Sequence, residues 1–301
     1  MGLTNRAGAE KLRVSVMEQN ISVRGSELTA AILDHFNRVH SMELQTDVEI
    51  ERQILETEQL SLDDDKSGLH FQKGMVTFTP SSASKCEREL YFRADRIPKE
   101  EGEMLPYQRR WVRNGSAVHA AVQRDLLYAE KYLKDPTFSV VRTKTGLPAW
   151  EKNIRQVRPL EYNGIPFQIY GMMDGVLQYQ DGVKIGFEYK TKSTTLGAIG
   201  NYKMKDAQED HKTQCIAYSL LFGLREFLIV YESLAKDSWT KGDEAKADMR
   251  AFYFAVTDED RNQLLHKFAT VAQMYYAGKL PAKAIEKCIF CPYKMKCKEI
   301  A

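Results

Sequence analysis

Apolar residues follow a helical period in the first part of the chain. After Ser26, a potential helix cap, they recur at intervals of three and four: Leu28, Ile32, Phe36 and Val39. A second, acidic helix is predicted near residues 47–60, and a polar loop follows it. The pattern therefore predicts a mostly helical segment over residues 1–79.

From about residue 80 the pattern changes. A short capped helix is predicted at 81–96 and a long helix at 105–133. β-branched and aromatic residues then alternate over 138–144, 154–162, 167–180 and 183–193, with Asn-Gly and Asp-Gly turn signals between some of these stretches. A helix over 201–223, strands over 226–232 and 250–256, and a helix opened by Thr-Asp-Glu-Asp complete the order. This order predicts an α/β domain with a mixed central β-sheet flanked by helices.

Composition and charge narrow the class of protein. With 301 residues, of which 43% are hydrophobic and 28% charged, the chain can bury a sizeable core. Its net charge is only +2, but Lys and Arg concentrate in 104–124, 190–212 and 283–298, so a basic face is possible. No apolar run approaches the ~20 residues that span a bilayer, and the N-terminus lacks the apolar region of a signal peptide. These features predict a cytoplasmic protein without a membrane partner.

Two strand-like stretches carry the residues with the most chemical potential. Asp174 lies where one stretch meets a glycine, and Glu188 and Lys190 lie two apart on the next, so their side chains share a face and Tyr189 points to the other. If the strands pair through the turn between them, Asp174 approaches Glu188. Two such carboxylates repel, and Mg²⁺ or Mn²⁺ would relieve the repulsion. The ion could activate water for phosphodiester hydrolysis while Lys190 stabilises charge, although the pattern alone also fits surface residues.

Three further polar residues fit the same site. His119 shares a helical stripe with Gly115 and Gln123 and could supply an imidazole to the cation, although a single helical histidine is usually structural or exposed. Gln214 and Tyr218 are four apart and face one way. One interpretation is a partly buried polar pair with a structural role. The other is that their side chains hydrogen-bond to the site lysine or to DNA.

Basic and aromatic residues flank these positions on both sides: Arg109, Arg110, Trp111, Arg113, Lys192, Tyr202, Lys203, Lys205 and Lys212. Phosphate contacts and base stacking are what a channel for a single nucleic-acid strand needs. Basic residues on surface helices also serve solubility, so each lysine alone is a weak signal. Together they favour DNA as the partner, single-stranded or with free ends.

The cysteines predict a site of a different kind. Of five in the chain, Cys288, Cys291 and Cys297 have the spacing C-x2-C-x5-C, and either Cys86 or Cys215 could complete a set of four. Cys215 lies in an apolar stretch and is interpreted as a small buried hydrophobe, so Cys86 is the preferred fourth ligand. Structural zinc sites usually combine two close pairs, whereas a [4Fe–4S] cluster accepts a run of cysteines plus one distant partner. The odd, clustered count also argues against a secreted disulfide framework.

The order of these motifs resembles the iron–sulfur branch of the RecB-like PD-(D/E)XK nucleases, which includes the CRISPR-associated exonucleases and the AddB-type nuclease domains. The resemblance covers about residues 80–301 and rests on six motifs: SASKCERELYF, GSAVH, GMMDG, EYKTKS, QCIAY and CIFCPYKMKC. Met173 precedes the acid where the family name has Pro, which is usual in this branch. Residues 1–79 have no counterpart and could regulate access, bind a protein partner or mediate homo-oligomerisation.

The resemblance implies a restriction-endonuclease-like core that cuts DNA with Mg or Mn, together with three sets of residues. The residues it assigns to the catalytic site are Lys190, Asp174, Glu188, Gln214 and Tyr218. The metal ligands it implies are His119, Asp174, Glu188 and the carbonyl of Tyr189. The [4Fe–4S] ligands it implies are Cys86, Cys288, Cys291 and Cys297.

The sequence therefore predicts a helical extension over 1–79 and a nuclease domain over 80–301 that is closed by the cluster. The predicted function is that of a metal-dependent DNA exonuclease acting on single-stranded ends, in DNA repair, recombination, phage replication or CRISPR adaptation. One alternative is a catalytically inactive DNA-binding accessory subunit of the same fold, and the presence of Asp174, Glu188 and Lys190 argues against it. A second alternative is a zinc-stapled α/β protein without nuclease activity.

Overall fold

The computed structural model describes residues 6–43, 45–62, 68–100, 102, 104–192, 195–284 and 291–300, without the side chains of 6–20 and of Ser61. The helices are α1 (Arg6–His40), α2 (Val48–Leu62), α3 (Glu87–Ala94), α4 (Pro106–Tyr132), α5 (Glu209–Phe222), α6 (Asp258–Tyr276) and α7 (Lys294–Glu299). The strands are β1 (Thr77–Phe78), β2 (Phe138–Val140), β3 (Gln156–Tyr162), β4 (Ile165–Gly171), β5 (Gly175–Tyr179), β6 (Lys184–Lys192), β7 (Glu226–Ser233) and β8 (Met249–Ala255).

The strands form two sheets, where the sequence predicts one central sheet. The larger sheet has the order β2-β5-β6-β7-β8 and the smaller one the order β1-β4-β3. Strands β6 and β7 run parallel through the α5 crossover, and the other pairs of the larger sheet are antiparallel. The predicted α/β class with mixed pairing and flanking helices is therefore confirmed, with the strands divided between two sheets.

The single predicted stretch 167–180 is in fact two strands. It leaves the smaller sheet at Gly171, the last residue of β4, and enters the larger sheet at Gly175, the first residue of β5. A side chain at Gly171 would meet the Pro80 ring at 2.7 Å, so the chain passes close to the short 3₁₀ turn Pro80–Ser82 at this point. The crossing between the sheets leaves Asp174 just before β5.

Three apolar cores hold the layers together. Helices α1, α2 and α4 cover one face of the larger sheet, and the Phe36 ring lies 6.3 Å from Phe187 and 6.1 Å from Tyr189. The opposite face packs against α5 through side chains that include Cys215 and Tyr218. Helices α3, α5 and α6 cover the smaller sheet. The larger sheet is thus enclosed on both faces, as strands with continuous apolar runs require.

Two predicted helix starts are corrected. Ser26 does not cap a helix, because α1 already begins at Arg6 and the Ser26 Oγ donates to the Ser22 carbonyl at 2.9 Å within the helix. Helix α5 begins at Glu209 rather than near residue 201, because the chain before it turns back on itself where the amides of Lys203 and Met204 both donate to the Gly200 carbonyl. The predicted burial of Cys215 is confirmed, since its side chain is fully buried.

The N-terminal helices belong to the same core as the larger sheet. The predicted apolar stripe of α1 is confirmed, because all of its members are fully buried: Leu28, Ile32, Phe36 and Val39. Strand β1 pairs in parallel with β4, with Thr77 opposite Gln168. The division at residues 79 and 80 stays a prediction, and so do the partner-binding and oligomerisation roles of 1–79. In the described ranges no helix is both long and apolar enough to cross a membrane.

Candidate active site

The pairing of β5 with β6 places two acids side by side. Gly175 lies opposite Phe187 in this antiparallel register, so Asp174 comes opposite Glu188, as the sequence predicts. The Asp174 Oδ2 accepts a hydrogen bond from the Tyr189 amide at 2.8 Å. The Glu188 side chain is 0% exposed and that of Asp174 is 19% exposed. A fully buried carboxylate carries a large desolvation cost unless charge and hydrogen bonds compensate it.

Lys190 supplies one compensating charge from the same face of β6. Its Nζ forms an ion pair with Glu188 Oε1, and apart from this contact neither Glu188 oxygen has a hydrogen-bond partner among the described residues. Burial and then repulsion by Asp174 raise the pKa of Glu188 well above its ordinary value. Burial lowers the pKa of Lys190, but the two carboxylates outweigh burial and raise it. The pKa values of Glu188, Asp174 and Lys190 are thus all raised, because the acids keep the lysine protonated while its single ammonium group does not fully compensate two carboxylates.

His119 reaches the acids from helix α4. Its Nδ1 lies 3.7 Å from Asp174 Oδ2, and the imidazole hydrogen-bonds to the backbone of Tyr189. Burial, followed by the Lys190 charge, lowers the pKa of His119, which favours the neutral ring that a metal ligand needs. Gly115 and Gln123 line the same cavity of about 400 Å³ as His119, so the predicted helical stripe faces the site.

The backbone of Tyr189 belongs to the candidate active site, whereas its ring packs on the opposite face of β6. The ring lies on the other face of β6, as predicted, and its hydroxyl donates to Glu232 Oε2 at 2.7 Å. Its amide holds Asp174, and its peptide also meets His119. The backbone of one residue therefore connects two of the predicted metal ligands.

Gln214 and Tyr218 form a hydrogen-bonded pair next to the acids. Gln214 Nε2 donates to the Tyr218 hydroxyl at 2.7 Å. Tyr218 is buried and lines a second cavity of about 290 Å³ together with Asp174. Gly186, two residues before Glu188, leaves room for the Phe227 ring, because a side chain at Gly186 would meet that ring at 2.3 Å. The pair on α5 thus borders the carboxylates across a closely packed interface.

The chemistry of this donor set fits a divalent cation. Carboxylates with an imidazole suit Mn²⁺, carboxylate oxygens suit Mg²⁺, and the site holds more negative than positive charge. In the described part of the chain, no three His, Cys, Asp or Glu side chains are already grouped as a metal cage, and Glu188 is paired with Lys190 instead. The buried Glu188 carboxylate, otherwise without a partner, is the observation that favours a cation as the missing compensation.

The comparison with protein families decides the class of the protein. The model of the PD-(D/E)XK nuclease superfamily matches residues 94–298. The chain belongs to this superfamily. Its members typically use divalent metals such as Mg²⁺ or Mn²⁺. The predicted superfamily is confirmed, and the iron–sulfur branch within it stays a prediction.

Two solved structures are similar to this PD-(D/E)XK protein at low identity. The crystal structure of SSO0001 is 15% identical with a TM-score of 0.41, and the match covers 83% of this chain and 94% of that one. The alkaline exonuclease LHK-Exo from Laribacter hongkongensis is 12% identical with a TM-score of 0.42, and the match covers 75% and 96% of the two chains. No curated protein matches the sequence.

The predicted DNA-contacting residues of this nuclease-superfamily chain differ in their surroundings. Lys212 forms ion pairs with Asp206 and Glu209, which neutralise its charge. Lys192 is half-buried, and among the described residues its Nζ contacts Gln208 Oε1 at 2.9 Å and lies 5.5 Å from the centre of the Tyr231 ring. Lys192 therefore keeps an uncompensated positive charge, in the part of the chain that the structure describes, two residues from Lys190.

Exposed aromatic residues precede and follow the site residues along the chain. Tyr107 and Trp111 contact each other edge to face at 5.2 Å at the start of α4. Tyr202 is 96% exposed. Trp239, in the loop after β7, is also fully exposed, and no motif predicts it. Rings this exposed are available for stacking with nucleic-acid bases.

The C-terminal tail packs against helix α3. Cys86 caps this helix by accepting the Glu89 amide at 3.4 Å, and the Phe92 ring lies 5.4 Å from the Tyr293 ring. Arg88 donates to the Pro281 carbonyl at 2.7 Å and to the Ile300 carbonyl at 3.2 Å. The tail therefore lies at the same end of the nuclease core as Cys86.

The predicted cluster ligands are brought partly together. Arg88 Nη1 lies 3.8 Å from Cys297 Sγ. Burial raises the pKa of Cys291, and the Cys86 thiol adds to the effect because it lies nearby. Cys288 lies outside the described residues. The surroundings of three of the four predicted ligands are thus described, and all three lie by α3.

Two polar residues near the acids have no sequence motif. Glu151 lines both cavities, with a backbone φ of 42°. His211 Nδ1 shares a 2.7 Å hydrogen bond with the Tyr231 hydroxyl, and burial with the Lys190 and Lys192 charges lowers its pKa to about 4. Glu151 begins the short 3₁₀ turn Glu151–Ile154 and His211 lies at a helix start, so neither has a periodic pattern around it. Only the packing of distant segments brings them to the site.

Proposed function

We propose that this protein is a divalent-metal-dependent DNA exonuclease that acts on single-stranded ends. Its catalytic residues are Asp174, Glu188 and Lys190, with His119 as a further metal ligand. The observation that carries the proposal is the fully buried Glu188 carboxylate beside Asp174, with one lysine to compensate two acids. Such a site destabilises the protein when it is empty, which favours a functional cation site over a purely structural role.

The residues divide the work of hydrolysis. When bound, the ion supplies Lewis acidity and a more acidic water, and the side chains of His119, Asp174 and Glu188 with the Tyr189 carbonyl would hold it. The Tyr189 amide keeps Asp174 oriented. Lys190 is held protonated by both acids and stabilises the charge that develops on the phosphodiester. Gln214 and Tyr218 close the α5 side of the site and restrict access of water.

The surroundings of the site support a single strand as substrate. Lys192 presents an uncompensated charge to a phosphate group, and the exposed rings of Tyr107, Trp111 and Tyr202 offer surfaces for base stacking. The cavities next to His119 and Asp174 have volumes of about 400 and 290 Å³. Unpaired nucleotides fit cavities of this size more readily than a duplex does. DNA repair, recombination, phage replication and CRISPR adaptation are the processes that use such an activity.

The decisive assay uses end-labelled single-stranded DNA with Mg²⁺ or Mn²⁺. We expect the wild-type protein to degrade linear strands and to spare circular ones, and Lys190→Ala to lower the rate by about a hundredfold or more. Lys184→Ala is the matched control, because Lys184 is an exposed lysine on the same strand. Equal cutting by the two variants would overturn the assignment of Lys190, and cutting of circular strands would show an endonuclease.

We also propose that a [4Fe–4S] cluster joins the tail to α3 through Cys86, Cys288, Cys291 and Cys297. The position of Cys86, Cys291 and Cys297 around α3 supports the proposal. Zinc is the alternative occupant of four thiolates. A cluster would stabilise the fold by closing a long loop between Cys86 and the tail. It would lie apart from the carboxylates and have a structural role.

Purification without oxygen tests this second proposal. We expect brown protein that contains iron and sulfide, and a Cys86→Ala variant that loses both and melts at a lower temperature. Cys215→Ala is the control, because Cys215 is fully buried in a different core. It should keep its iron. Stoichiometric zinc in the wild-type protein would contradict the cluster, and iron retained by Cys86→Ala would contradict the choice of Cys86.

A further inference from the structure

Glu151 has an unusual backbone conformation beside the active site. Its φ of 42° lies in the left-handed region, where a residue with a side chain is disfavoured and glycine is not. The segment is anchored on both sides, because the Glu151 amide donates to the Met173 carbonyl at 2.7 Å and the Val176 amide donates to the Ala149 carbonyl at 2.9 Å. The strained residue is thus held directly beside Asp174.

Glu151 borders both cavities of the site. It lines the larger one together with His119 and the smaller one together with Asp174. Its carboxylate forms no hydrogen bond or ion pair with any residue that the structure describes, although it is half-buried. Its charge also acts on both neighbours, since it counters the lowering of the His119 pKa and adds to the raising of the Asp174 pKa.

A structural role does not account for these features. If the turn alone mattered, glycine would form it without strain, and an acid facing other acids adds repulsion to the site. A divalent cation reverses the sign of that effect, because each nearby carboxylate then contributes attraction. Mg²⁺ keeps several of its waters in protein sites, and carboxylates beyond the direct ligands hold such waters by hydrogen bonds.

We propose that Glu151 is a positioning residue of the divalent-cation site, where its carboxylate accepts hydrogen bonds from water molecules bound to the cation. This inference rests on the proposed function. It assigns to the 3₁₀ turn before β3 a part in metal binding, in addition to Asp174 before β5 and the residues on β6 and α4.

Binding of Mn²⁺ to the full-length protein without DNA tests the proposal, measured by electron paramagnetic resonance of the free ion. We expect Glu151→Gln to weaken binding by about 10- to 100-fold, the range typical of residues that orient metal ligands. Glu58→Gln is the matched control, because Glu58 is an exposed acid that lines the larger cavity without lining the one beside Asp174. It should bind Mn²⁺ as the wild type does.

A second variant separates metal binding from folding. Glu151→Gly removes both the carboxylate and the strain, so we expect it to melt in EDTA at the same temperature as the wild type or higher, and still to bind Mn²⁺ weakly. A lower melting temperature would show that the side chain serves the fold and would overturn the proposal. Wild-type affinity in Glu151→Gln would overturn it while leaving the proposed function intact. Absence of Mn²⁺ binding by the wild type would overturn both.

Discussion

The two faces of strand β6 are both buried and are chemically opposite. Phe187 and Tyr189 pack under α1 and α4 in an apolar core, while Glu188 and Lys190 face the core that contains Cys215 and Tyr218 of α5. Phe187 is 1% exposed and Glu188 is 0% exposed. A single strand therefore buries apolar side chains on one face and charged side chains on the other to a similar extent. The apolar face stabilises the protein, whereas the buried carboxylate of the ionic face costs stability unless a positive charge compensates it.

Each face also contains a buried titratable side chain that lacks hydrogen-bond partners for some or all of its polar atoms. On the apolar face it is His35 of α1, whose ring nitrogens have no hydrogen-bond partner among the described residues. On the ionic face it is Glu188, with Lys190 alone. Burial favours the neutral form of both groups, so it lowers the pKa of the histidine and raises that of the acid. The two faces should therefore respond to pH in opposite directions.

The largest expected effect is a difference in nuclease activity between two substitutions at neighbouring residues, one on each face of β6. We expect Glu188→Gln to lower nuclease activity by about a thousandfold or more, because the cation site loses a ligand charge. Tyr189→Phe should keep activity within severalfold, because it loses only the hydroxyl bond to Glu232 on the other face. Rates on end-labelled single-stranded DNA measure both. Similar losses in the two variants would remove the functional distinction between the faces.

The next effect concerns stability from the apolar face. Phe36 is fully buried against Phe187 and Tyr189, so Phe36→Ala should lower the free energy of unfolding by about 3–5 kcal/mol. Tyr202→Ala should change it little, since Tyr202 is exposed. Urea titration measures both. A change below about 1 kcal/mol for Phe36→Ala would mean that α1 is not part of the core.

A smaller effect should come from removing the charge on the ionic face. Because the pKa of Glu188 is higher in the folded protein than in the unfolded chain, its contribution to stability is present at low pH and lost as the pH rises through the folded value. In EDTA at neutral pH, Glu188→Gln should therefore be more stable than the wild type by about 1–3 kcal/mol. Urea titrations across pH measure this difference. A Glu188→Gln variant less stable than wild type at neutral pH would contradict the desolvation argument.

An effect of similar size, confined to acid pH, should come from the histidine on the apolar face. Burial, with a contribution from Arg38, lowers the pKa of His35 from 6.5 to about 4. A depressed histidine pKa means that its neutral form stabilises the fold above the unfolded pKa, and that this stability is lost as the pH falls from 6.5 toward 4. At pH 5 the loss amounts to about 2 kcal/mol. His35→Leu should show a flatter fall in stability over this range, and an unchanged pH profile would contradict the assignment.

The sequence predicts the site more completely than it predicts the layers around it. Asp174, Glu188 and Lys190 follow from strand period and from pairing through the Gln-Asp-Gly turn at residues 180–182, both of which are local. Gln214 and Tyr218 follow from helical spacing, and their mutual bond confirms that they face one way. The division into two sheets cannot be inferred from the sequence. A chain that crosses from one sheet to another has the same alternation of apolar and polar residues as one continuous strand.

Contacts between distant segments set the limits of prediction. The contact of Arg88 with Cys297, 209 residues further along the chain, depends on how the chain folds back, and no local pattern indicates it. The same holds for Glu151, whose surroundings come from α2, α4 and the start of β5. Side chains in loops and single turns have no periodic pattern, so their neighbours are decided only when the layers of the fold pack together.

By itself, the sequence determined the α/β class, the order of motifs and the face of β6 that carries the acids, because hydrophobic period and turn chemistry act over a few residues. The tertiary structure alone decided that α1 closes the apolar face, that Glu188 is completely buried, and that Glu151 stands next to His119 and Asp174. Burial and electrostatic coupling are properties of the packed molecule, because they depend on all the segments that exclude water from a given atom.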